Sequence, residues 1–540
     1  MVSFSGLPRS QIGHEFFKRT AAIQMSQEFV PARSSLVSNS SATESSGCGI
    51  LSKSALLFCV LAILILIPLT TAPVLTDYRV ADDFRLVGSI DFPAAFRYFG
   101  GTTGFGRNEW RPLVSLSFAS DNFLWGSRAV GYHLTNVLLH TLASVLLLLV
   151  VNQISGNLTL SFLAAALFGI HPVNHSRVAW IAAREGPLSM VLLLISILGY
   201  VAVRKLQAAT DAKVGEPFPN RNRVRVYQFI SCITFALALA CYEGAAMLPF
   251  VLLGLEILLV PQPAIRKQRF AATAIAVAPY FMILAGYVGW WMFLFKGRIG
   301  GYDLDFSIYG MFRDFYRLHY RLFHHIQHWL GILYLILAVL IARQWKRHWR
   351  LILFSVLLIW VGYLPFLPLN GFADRFAYFS CTGVVLLLGI GLTEALTIGR
   401  TMVLGPILAL SLSLILVGNY EYSTIGRFRS WVDAGRISEA IPAQLKALRP
   451  SFPPNSTLVF DQIPTRHGDA HLFPNSFRVA VREKYSHPIP RISYYPTAID
   501  PTLGQQLLKE QPAFYFRYLE QRETLVEIRT RAPNLTNTAQ

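Results

Sequence analysis

The stretch Ala55–Thr70, ALLFCVLAILILIPLT, indicates the fold class of this chain most directly. It contains no charged residue, and with its flanks it reaches the ~20 apolar residues that a helix needs to cross a bilayer. A secretory signal starts within a few residues of the amino terminus, whereas this run follows a polar, Ser-rich segment. We therefore predict an uncleaved first membrane helix with a cytoplasmic tail in front of it.

The composition of the whole chain agrees with a polytopic membrane protein. Of 540 residues, 53% are hydrophobic and 14% are charged, and the mean hydropathy is +0.43. Soluble domains carry roughly 25% charged residues, which excludes an ordinary cytosolic enzyme, and the apolar content excludes a disordered chain. The net charge of +18 does not predict a nucleic-acid partner, because the basic residues interrupt apolar runs instead of clustering on one soluble face.

Ten further apolar runs follow the first, at 131–151, 158–172, 187–204, 227–241, 245–260, 271–294, 326–343, 351–367, 378–397 and 402–420. With the first run they predict an all-α bundle of about eleven transmembrane helices. Lysine and arginine concentrate in alternate loops, at 205–226, 261–269 and 343–350. Because basic loops stay on the cytoplasmic side, we expect a cytoplasmic amino terminus and an exported carboxyl-terminal tail.

The residues after the last apolar run predict a small soluble domain. Helical spacing covers Ser430–Leu448, where Pro442 either kinks the helix or lies in the first turn of a new one. Alternating apolar residues then predict strands at Thr457–Ile463, Phe477–Tyr485, Phe514–Leu519 and Thr524–Ile528. We divide the chain into a tail that we expect to be disordered, a transmembrane domain and an exported α/β-like domain, at 1–53, 54–420 and 421–540.

An adjacent pair of carboxylates lies in the first exported loop. Asp82 and Asp83 stand side by side within YRVADDFRLV. Neighbouring carboxylates raise one another's pKa, so one can act as a base while the other holds an acceptor or an ion. The alternative is a solvated loop at the membrane interface, where charged residues are common.

Two other exported loops hold ionisable residues with two possible roles each. Glu243 lies at the tip of a hairpin between two spans, and it is either part of a functional site or a side chain that reaches the interface. Asp374, Arg375 and Tyr378 meet the outer end of a span. Arg375 either binds phosphate there or pairs with Asp374, its neighbour in the chain.

Two stretches between these loops complete the set of candidate residues. Arg111 precedes Pro112 and a series of apolar residues that predict a helix lying in the membrane surface. His171 and His175 could share a metal ion only on a continuous helix, which Pro172 interrupts, and no carboxylate completes the set. No metal site is therefore predicted.

Five motifs in this order resemble one family of membrane enzymes: DD in the first exported loop, W-R-P-L, G-Y-H-L-T-N-V-L-L-H, A-A-L-F-G-I-H-P-V and A-D-R-F-A-Y. They are similar to the transmembrane-and-tetratricopeptide protein O-mannosyltransferases and their bacterial membrane relatives, which are glycosyltransferases of the GT-C fold. The resemblance covers roughly residues 75–400. The chain departs from the family in having Ser176, Gly186 and Glu185 in the second loop and no 34-residue repeats in its tail.

The resemblance implies a transferase that takes a sugar from a polyprenyl-phosphate donor at the outer membrane face. Asp82 or Asp83 is then the base for direct displacement with inversion, on a protein or glycolipid hydroxyl. Arginines bind the leaving phosphate, in the order of preference Arg375, Arg184 and Arg111. The expected substrate contacts are Glu243, His171 and Tyr378.

No cofactor is expected, and a divalent metal held by the two aspartates is the alternative to a base. Two other functions fit a membrane bundle. A transporter or flippase of a glycolipid predicts charged or broken spans near the midplane and internal symmetry. A non-catalytic scaffold predicts that neither aspartate is required.

Overall fold

The computed structural model of this protein describes residues 46–101, 109–211, 221–260, 266–296, 305–323, 330–369, 372–398, 404–473, 476–485, 491–498 and 513–528. The expected disordered tail lies almost entirely outside the described residues. The helices are α1 Ser46–Thr71, α2 Asp83–Leu86, α3 Phe92–Arg97, α4 Pro112–Trp125, α5 Ala129–Ser155, α6 Leu158–Ile170, α7 His175–Ala179, α8 Glu185–Asp211, α9 Arg221–Leu239, α10 Leu248–Leu258, α11 Arg266–Phe295, α12 Ile308–Leu322, α13 Leu330–Arg343, α14 Trp345–Tyr363, α15 Cys381–Ile398, α16 Leu404–Leu448 and α17 Phe477–Arg482. The strands are β1 Thr457–Asp461, β2 Arg466–His467, β3 Ala470–His471, β4 Arg491–Tyr494, β5 Ala513–Leu519 and β6 Thr524–Glu527.

A helix bundle forms most of the described chain. By length and composition, six helices in the described ranges can cross a membrane: Lys53–Val74, Ala129–Ser155, Ile181–Ala209, Gln268–Phe295, Trp345–Phe366 and Cys381–Ile398. Two shorter apolar helices are Leu158–Ile170 and Gly331–Arg343. An integral, multi-pass bundle is thus confirmed, whereas the number eleven stays a prediction.

The last helix of the bundle continues into the carboxyl-terminal domain. Helix α16 has 45 residues and includes Pro442, so at 1.5 Å per residue it is about 68 Å long. Leu416 and Tyr420 are buried in the bundle, while Trp431 and Ile441 are buried in the core of the carboxyl-terminal domain. The predicted domain boundary at residues 420 and 421 therefore falls inside one continuous helix.

The carboxyl-terminal domain contains a four-stranded sheet in the order β4-β1-β5-β6. Strand β1 pairs in parallel with β4 and β5, and β5 forms an antiparallel pair with β6. The prediction of a strand at Phe477–Tyr485 is wrong, because residues Phe477–Arg482 form α17. Phe477, Ala480 and Val481 are buried in this segment. They are three and four residues apart, as on one face of a helix, although the apolar residues of the segment also alternate along the sequence.

The loop that carries Asp82 and Asp83 is predicted to be exported, and we call it the first exported loop. It shares one hydrophobic core with the carboxyl-terminal domain. Val80, Ala81 and Phe84 belong to the same buried cluster as Phe473 and Phe477. The Ala81 amide donates a hydrogen bond to the Leu472 carbonyl at 2.6 Å, and Arg79 forms ion pairs with Glu439 and Glu483 at 2.8 Å each. The loop with the two aspartates is therefore held directly against the carboxyl-terminal domain.

Candidate active site

Asp82 and Asp83 occupy different environments although they are adjacent. Asp83 has no exposed surface, and its carboxylate accepts hydrogen bonds from the Val80 amide at 3.1 Å and the Ala182 amide at 2.9 Å. Asp82 precedes helix α2 and is partly exposed. Asp83 thus joins the first exported loop to the loop at residues 172–186, which is also predicted to be exported and which we call the second exported loop. Asp82 remains open to solvent on one side.

Burial changes the titration of Asp83. Burial raises the pKa of this carboxyl from 3.8 to about 8, although the backbone hydrogen bonds from Val80 and Ala182 act to lower that pKa. The charge of Asp82 also raises it. The unfolded chain therefore loses this proton at a lower pH than the folded chain, so unfolding releases a proton between these values. The free energy of unfolding must fall as pH rises through this window.

We expect this fall to be visible as a pH-dependent melting temperature that depends on Asp83. Between pH 5 and pH 8 the melting temperature of the detergent-solubilised wild type should decrease by several degrees more than that of Asp83→Asn, which cannot titrate. Asp91→Asn, in the same loop, is the control and should keep the wild-type slope, because Asn also caps a helix. Equal slopes for all three proteins would contradict the raised pKa.

A buried charge network surrounds Asp374. Its carboxylate lies 3.2 Å from His175, 3.2 Å from Arg321 and 2.8 Å from Arg427. The His175 Nδ1 accepts a hydrogen bond from the Trp431 indole at 2.8 Å, so its Nε2 carries the proton and donates to Asp374. Burial acts to raise the pKa of Asp374, but the hydrogen bond from His175 and the charges of Arg427 and Arg321 hold that pKa below its usual range.

Arg375 lies next to this network, against aromatic rings. Its guanidinium carbon is 5.4 Å from the centroid of Trp180 and 4.9 Å from that of Phe376. Trp180 follows α7 in the second exported loop and stacks on Trp431 at 5.9 Å between centroids. Because the Ala182 amide, two residues further on, binds Asp83, the second loop brings Arg375 and the aspartates to the same end of the bundle.

The other two predicted phosphate ligands are engaged with carboxylates. Arg184 has no exposed surface, and it pairs with Asp121 at 2.5 Å while donating to Asn136 and to the Tyr132 carbonyl. Such a buried, paired arginine favours a structural role over phosphate binding. Phosphate binding by Arg184 stays a prediction.

Arg111 and Glu243 belong to a second charge cluster. The Arg111 guanidinium is 2.8 Å from Glu243, 3.3 Å from Glu109 and 3.9 Å from Glu185. The ion-pair partners of Arg111 are therefore glutamates and not Asp82 or Asp83. Three carboxylates around one guanidinium leave little electrostatic attraction for a phosphate.

The remaining predicted substrate contacts are buried in the bundle. The Tyr378 hydroxyl lies 2.8 Å from His140 Nδ1, and Tyr378 has no exposed surface. His171 follows the last residue of α6, and its ring accepts a hydrogen bond from the Val173 amide at 3.2 Å. Pro172 begins a short 3-10 turn there, which interrupts the helix as predicted. A substrate would have to displace packed residues to reach either side chain.

Arg177 stands in the second loop among the polar residues of the sequence, where no role is predicted for it, yet it connects the loops in the structure. It is completely buried and donates to Glu185 at 2.6 Å, to the Tyr242 hydroxyl at 2.8 Å and to the Arg375 carbonyl at 3.0 Å. A Cβ atom at Gly186 would lie 2.6 Å from the Arg177 Nε. The departure from the family at position 186 was therefore the signal for this residue, because only glycine leaves room for the guanidinium.

This end of the bundle brings acidic, basic and aromatic side chains together. It combines a partly exposed carboxylate at Asp82 with a cation at Arg375, next to a stacked pair of indoles. Within the described ranges, no three His, Cys, Asp or Glu side chains are arranged to hold a metal ion. The absence of a metal requirement stays a prediction.

Comparisons with known proteins support the resemblance. No protein-family model matches the chain. It is 37% identical over 92 residues to Protein O-mannosyl-transferase Tmtc1 of Drosophila melanogaster, which covers 17% of this chain and 11% of that protein. It is 36% identical over 106 residues to Protein O-mannosyl-transferase TMTC4 of Homo sapiens, which covers 17% of this chain and 14% of that protein. The chain thus spans only 11% and 14% of the length of these two relatives, and the resemblance to O-mannosyl-transferases is confirmed.

Two solved structures align over most of the chain. ArnT from Cupriavidus metallidurans in the apo state aligns with a TM-score of 0.45 and 13% identity, over 88% of this chain and 94% of that one. The archaeal oligosaccharyltransferase AglB from Archaeoglobus fulgidus aligns with a TM-score of 0.48 and 12% identity, over 88% of this chain and 70% of that one.

Proposed function

We propose that this chain is an integral-membrane glycosyltransferase that moves a sugar from a polyprenyl-phosphate donor to an acceptor hydroxyl. The observation that carries the proposal is the Asp82–Asp83 pair, which lies between the second exported loop and the carboxyl-terminal domain, at the same end of the bundle as Arg375. The local match to O-mannosyl-transferases points to mannose as the sugar and to a protein as the acceptor.

Asp82 is our choice for the base. A base must reach the hydroxyl that it deprotonates, and both the burial of Asp83 and its two amide hydrogen bonds oppose such contact. The neighbouring Ala81 amide donates to the Leu472 carbonyl at 2.6 Å and Phe84 stacks on Phe473 at 6.1 Å between centroids, so Asp82 lies beside the carboxyl-terminal domain. Asp83 is then a positioning residue that fixes the loop on which Asp82 stands.

The reaction is a single displacement at the anomeric carbon. The Asp82 carboxylate takes the proton of the acceptor hydroxyl while the acceptor oxygen forms a bond to that carbon. The bond between the anomeric carbon and the phosphate oxygen breaks, its electron pair leaves with the polyprenyl phosphate, and the configuration is inverted. A cation near the departing phosphate stabilises the charge that develops there.

Arg375 is the cation that we propose for this step. Its guanidinium lies against the Trp180 and Phe376 rings, at the end of the bundle that holds the aspartates. Arg184 and Arg111 are less suited to bind a phosphate, because Asp121 and Glu243 already neutralise them. A guanidinium stacked on Trp180 keeps its charge and holds two phosphate oxygens at once when the donor binds.

Arg375→Lys is expected to raise the KM for the donor about tenfold with little change in protein yield, since lysine keeps the charge but loses the bidentate contact. The measurement is initial rate against donor concentration for purified protein. Arg184→Lys is the matched variant, and it should lower yield instead because Arg184 is buried against Asp121. An unchanged donor KM for Arg375→Lys would remove Arg375 from this role.

The test of the proposal is transfer by the purified full chain. Incubation with a radiolabelled polyprenyl-phosphate mannose and a Ser/Thr-rich peptide should yield labelled peptide and free polyprenyl phosphate. A flippase would move the donor between leaflets of a vesicle without cleaving it, and a scaffold would leave the donor intact. Orientation is tested separately, by a reporter fused after Gln540 that should be active only on the exported side.

A further inference from the structure

A cavity of about 530 Å³ opens at the end of the bundle opposite to the candidate active site. Helix α5 connects the two ends: the Val130 amide binds Asp77 in the first exported loop, and Ser155 lines the cavity. The 27 residues of α5 separate these ends by about 40 Å. The basic loop at 343–350 lies on the cavity side, which the charge distribution predicts to be cytoplasmic.

The mouth of the cavity is polar and cationic. Lys346, Arg347 and Arg350 of α14 line it together with the polar residues Asn157, Gln344 and Thr393. A neighbouring carboxylate does not cancel this charge. Glu394 is held by Arg343 at 3.5 Å and Thr397 at 2.7 Å, so the three lining cations stay in excess.

The interior of the cavity is apolar. Ile154 and Leu351 line both this cavity and a second one of about 50 Å³, which is bordered almost entirely by aliphatic, methionine and phenylalanine side chains of the spans. Trp345 and Trp349 are 48% and 40% exposed beside the mouth. Tryptophans of this kind lie at the level of lipid headgroups, so the mouth is at the membrane surface and the apolar part is within the hydrocarbon.

We infer that this cavity binds the phosphate headgroup of an anionic phospholipid from the predicted cytoplasmic leaflet. The three cations pair with the phosphate, and the first methylenes of an acyl chain pack against Ile154 and Leu351. Basic pockets between transmembrane helices on the cytoplasmic side bind such headgroups. A free phosphate ion would use only the mouth, and a neutral lipid would leave the cations without a counterion. The site is independent of the proposed transferase activity, which uses the other membrane face.

The experiment is native mass spectrometry of the detergent-solubilised full chain, titrated with phosphatidylglycerol and, separately, with phosphatidylcholine. We expect the Lys346→Gln/Arg347→Gln/Arg350→Gln variant to bind phosphatidylglycerol at least tenfold more weakly than wild type, since each basic residue near an anionic lipid contributes about fivefold. Phosphatidylcholine binding should not change. The matched control is Arg221→Gln/Arg223→Gln/Arg225→Gln, which removes three exposed charges on the same predicted face and should bind like wild type.

Three results would overturn the proposal. They are equal phosphatidylglycerol binding by wild type and the cavity variant, an equal loss in the control variant, and full displacement of the lipid by inorganic phosphate at the same concentration. The last result would assign the site to a free anion. If the triple variant does not elute as a monodisperse species, the three single variants are measured, and each should bind phosphatidylglycerol severalfold more weakly.

Discussion

Asp82→Asn is expected to lower the turnover of mannosyl transfer by roughly 10²–10⁴-fold, which is the usual cost of losing a positioned base. Asparagine has nearly the shape of aspartate, but its amide cannot take the proton of the acceptor hydroxyl. Asp82 is partly exposed and is not tied to backbone amides as Asp83 is. Protein yield and melting temperature should therefore stay close to wild type. The measurement is the initial rate of label transfer to peptide at saturating donor.

Two matched variants in the same loop make this expectation specific. Asp91→Asn removes a charge at the start of α3 and should retain full activity. Asp83→Asn should lower activity together with yield, because one carboxylate oxygen is replaced by an amide nitrogen that faces a backbone N–H donor. Near-normal turnover in both Asp82→Asn and Asp83→Asn would end the assignment of a base to this pair.

Arg177→Met should destabilise the folded protein by about 3–5 kcal/mol, because it leaves a buried carboxylate without its partner. Arg177 is completely buried and donates to Glu185, Tyr242 and the Arg375 carbonyl. Methionine fills part of the volume but satisfies none of these acceptors. The expected result is a strong loss of folded protein in membranes and a lower melting temperature after solubilisation.

An exposed arginine and a double variant test the cause of this loss. Arg128→Met changes an exposed residue before α5 and should shift stability by about 0.5 kcal/mol at most. Arg177→Met/Glu185→Leu removes both members of the ion pair and should be more stable than Arg177→Met alone, since no lone charge remains buried. A double variant that is less stable than the single one would contradict this explanation.

Features that depend on the local apolar pattern could be predicted from the amino-acid sequence alone. The run at Ala55–Thr70 predicts a membrane helix without reference to the rest of the chain, because length and hydropathy are sufficient to identify a membrane-spanning helix. The strands at Thr457–Ile463 and Phe514–Leu519 were also predictable from alternation, and both are found in the sheet. Alternation failed at Phe477–Tyr485, where the same apolar residues also fit a helix, and only packing against β1 and the first exported loop selects between the two.

The pairing of charged residues is visible only in the folded chain, because it depends on contacts between residues far apart in the sequence. Asp374 and Arg375 are neighbours in sequence, yet Asp374 pairs with His175 and Arg427. Asp82 and Asp83 are adjacent in sequence and their spacing does not choose between them, whereas in the folded chain a hydrogen bond from Ala182, 99 residues away, distinguishes Asp83. Burial costs a charged group its hydration, and the sequence does not say which of two adjacent aspartates is buried.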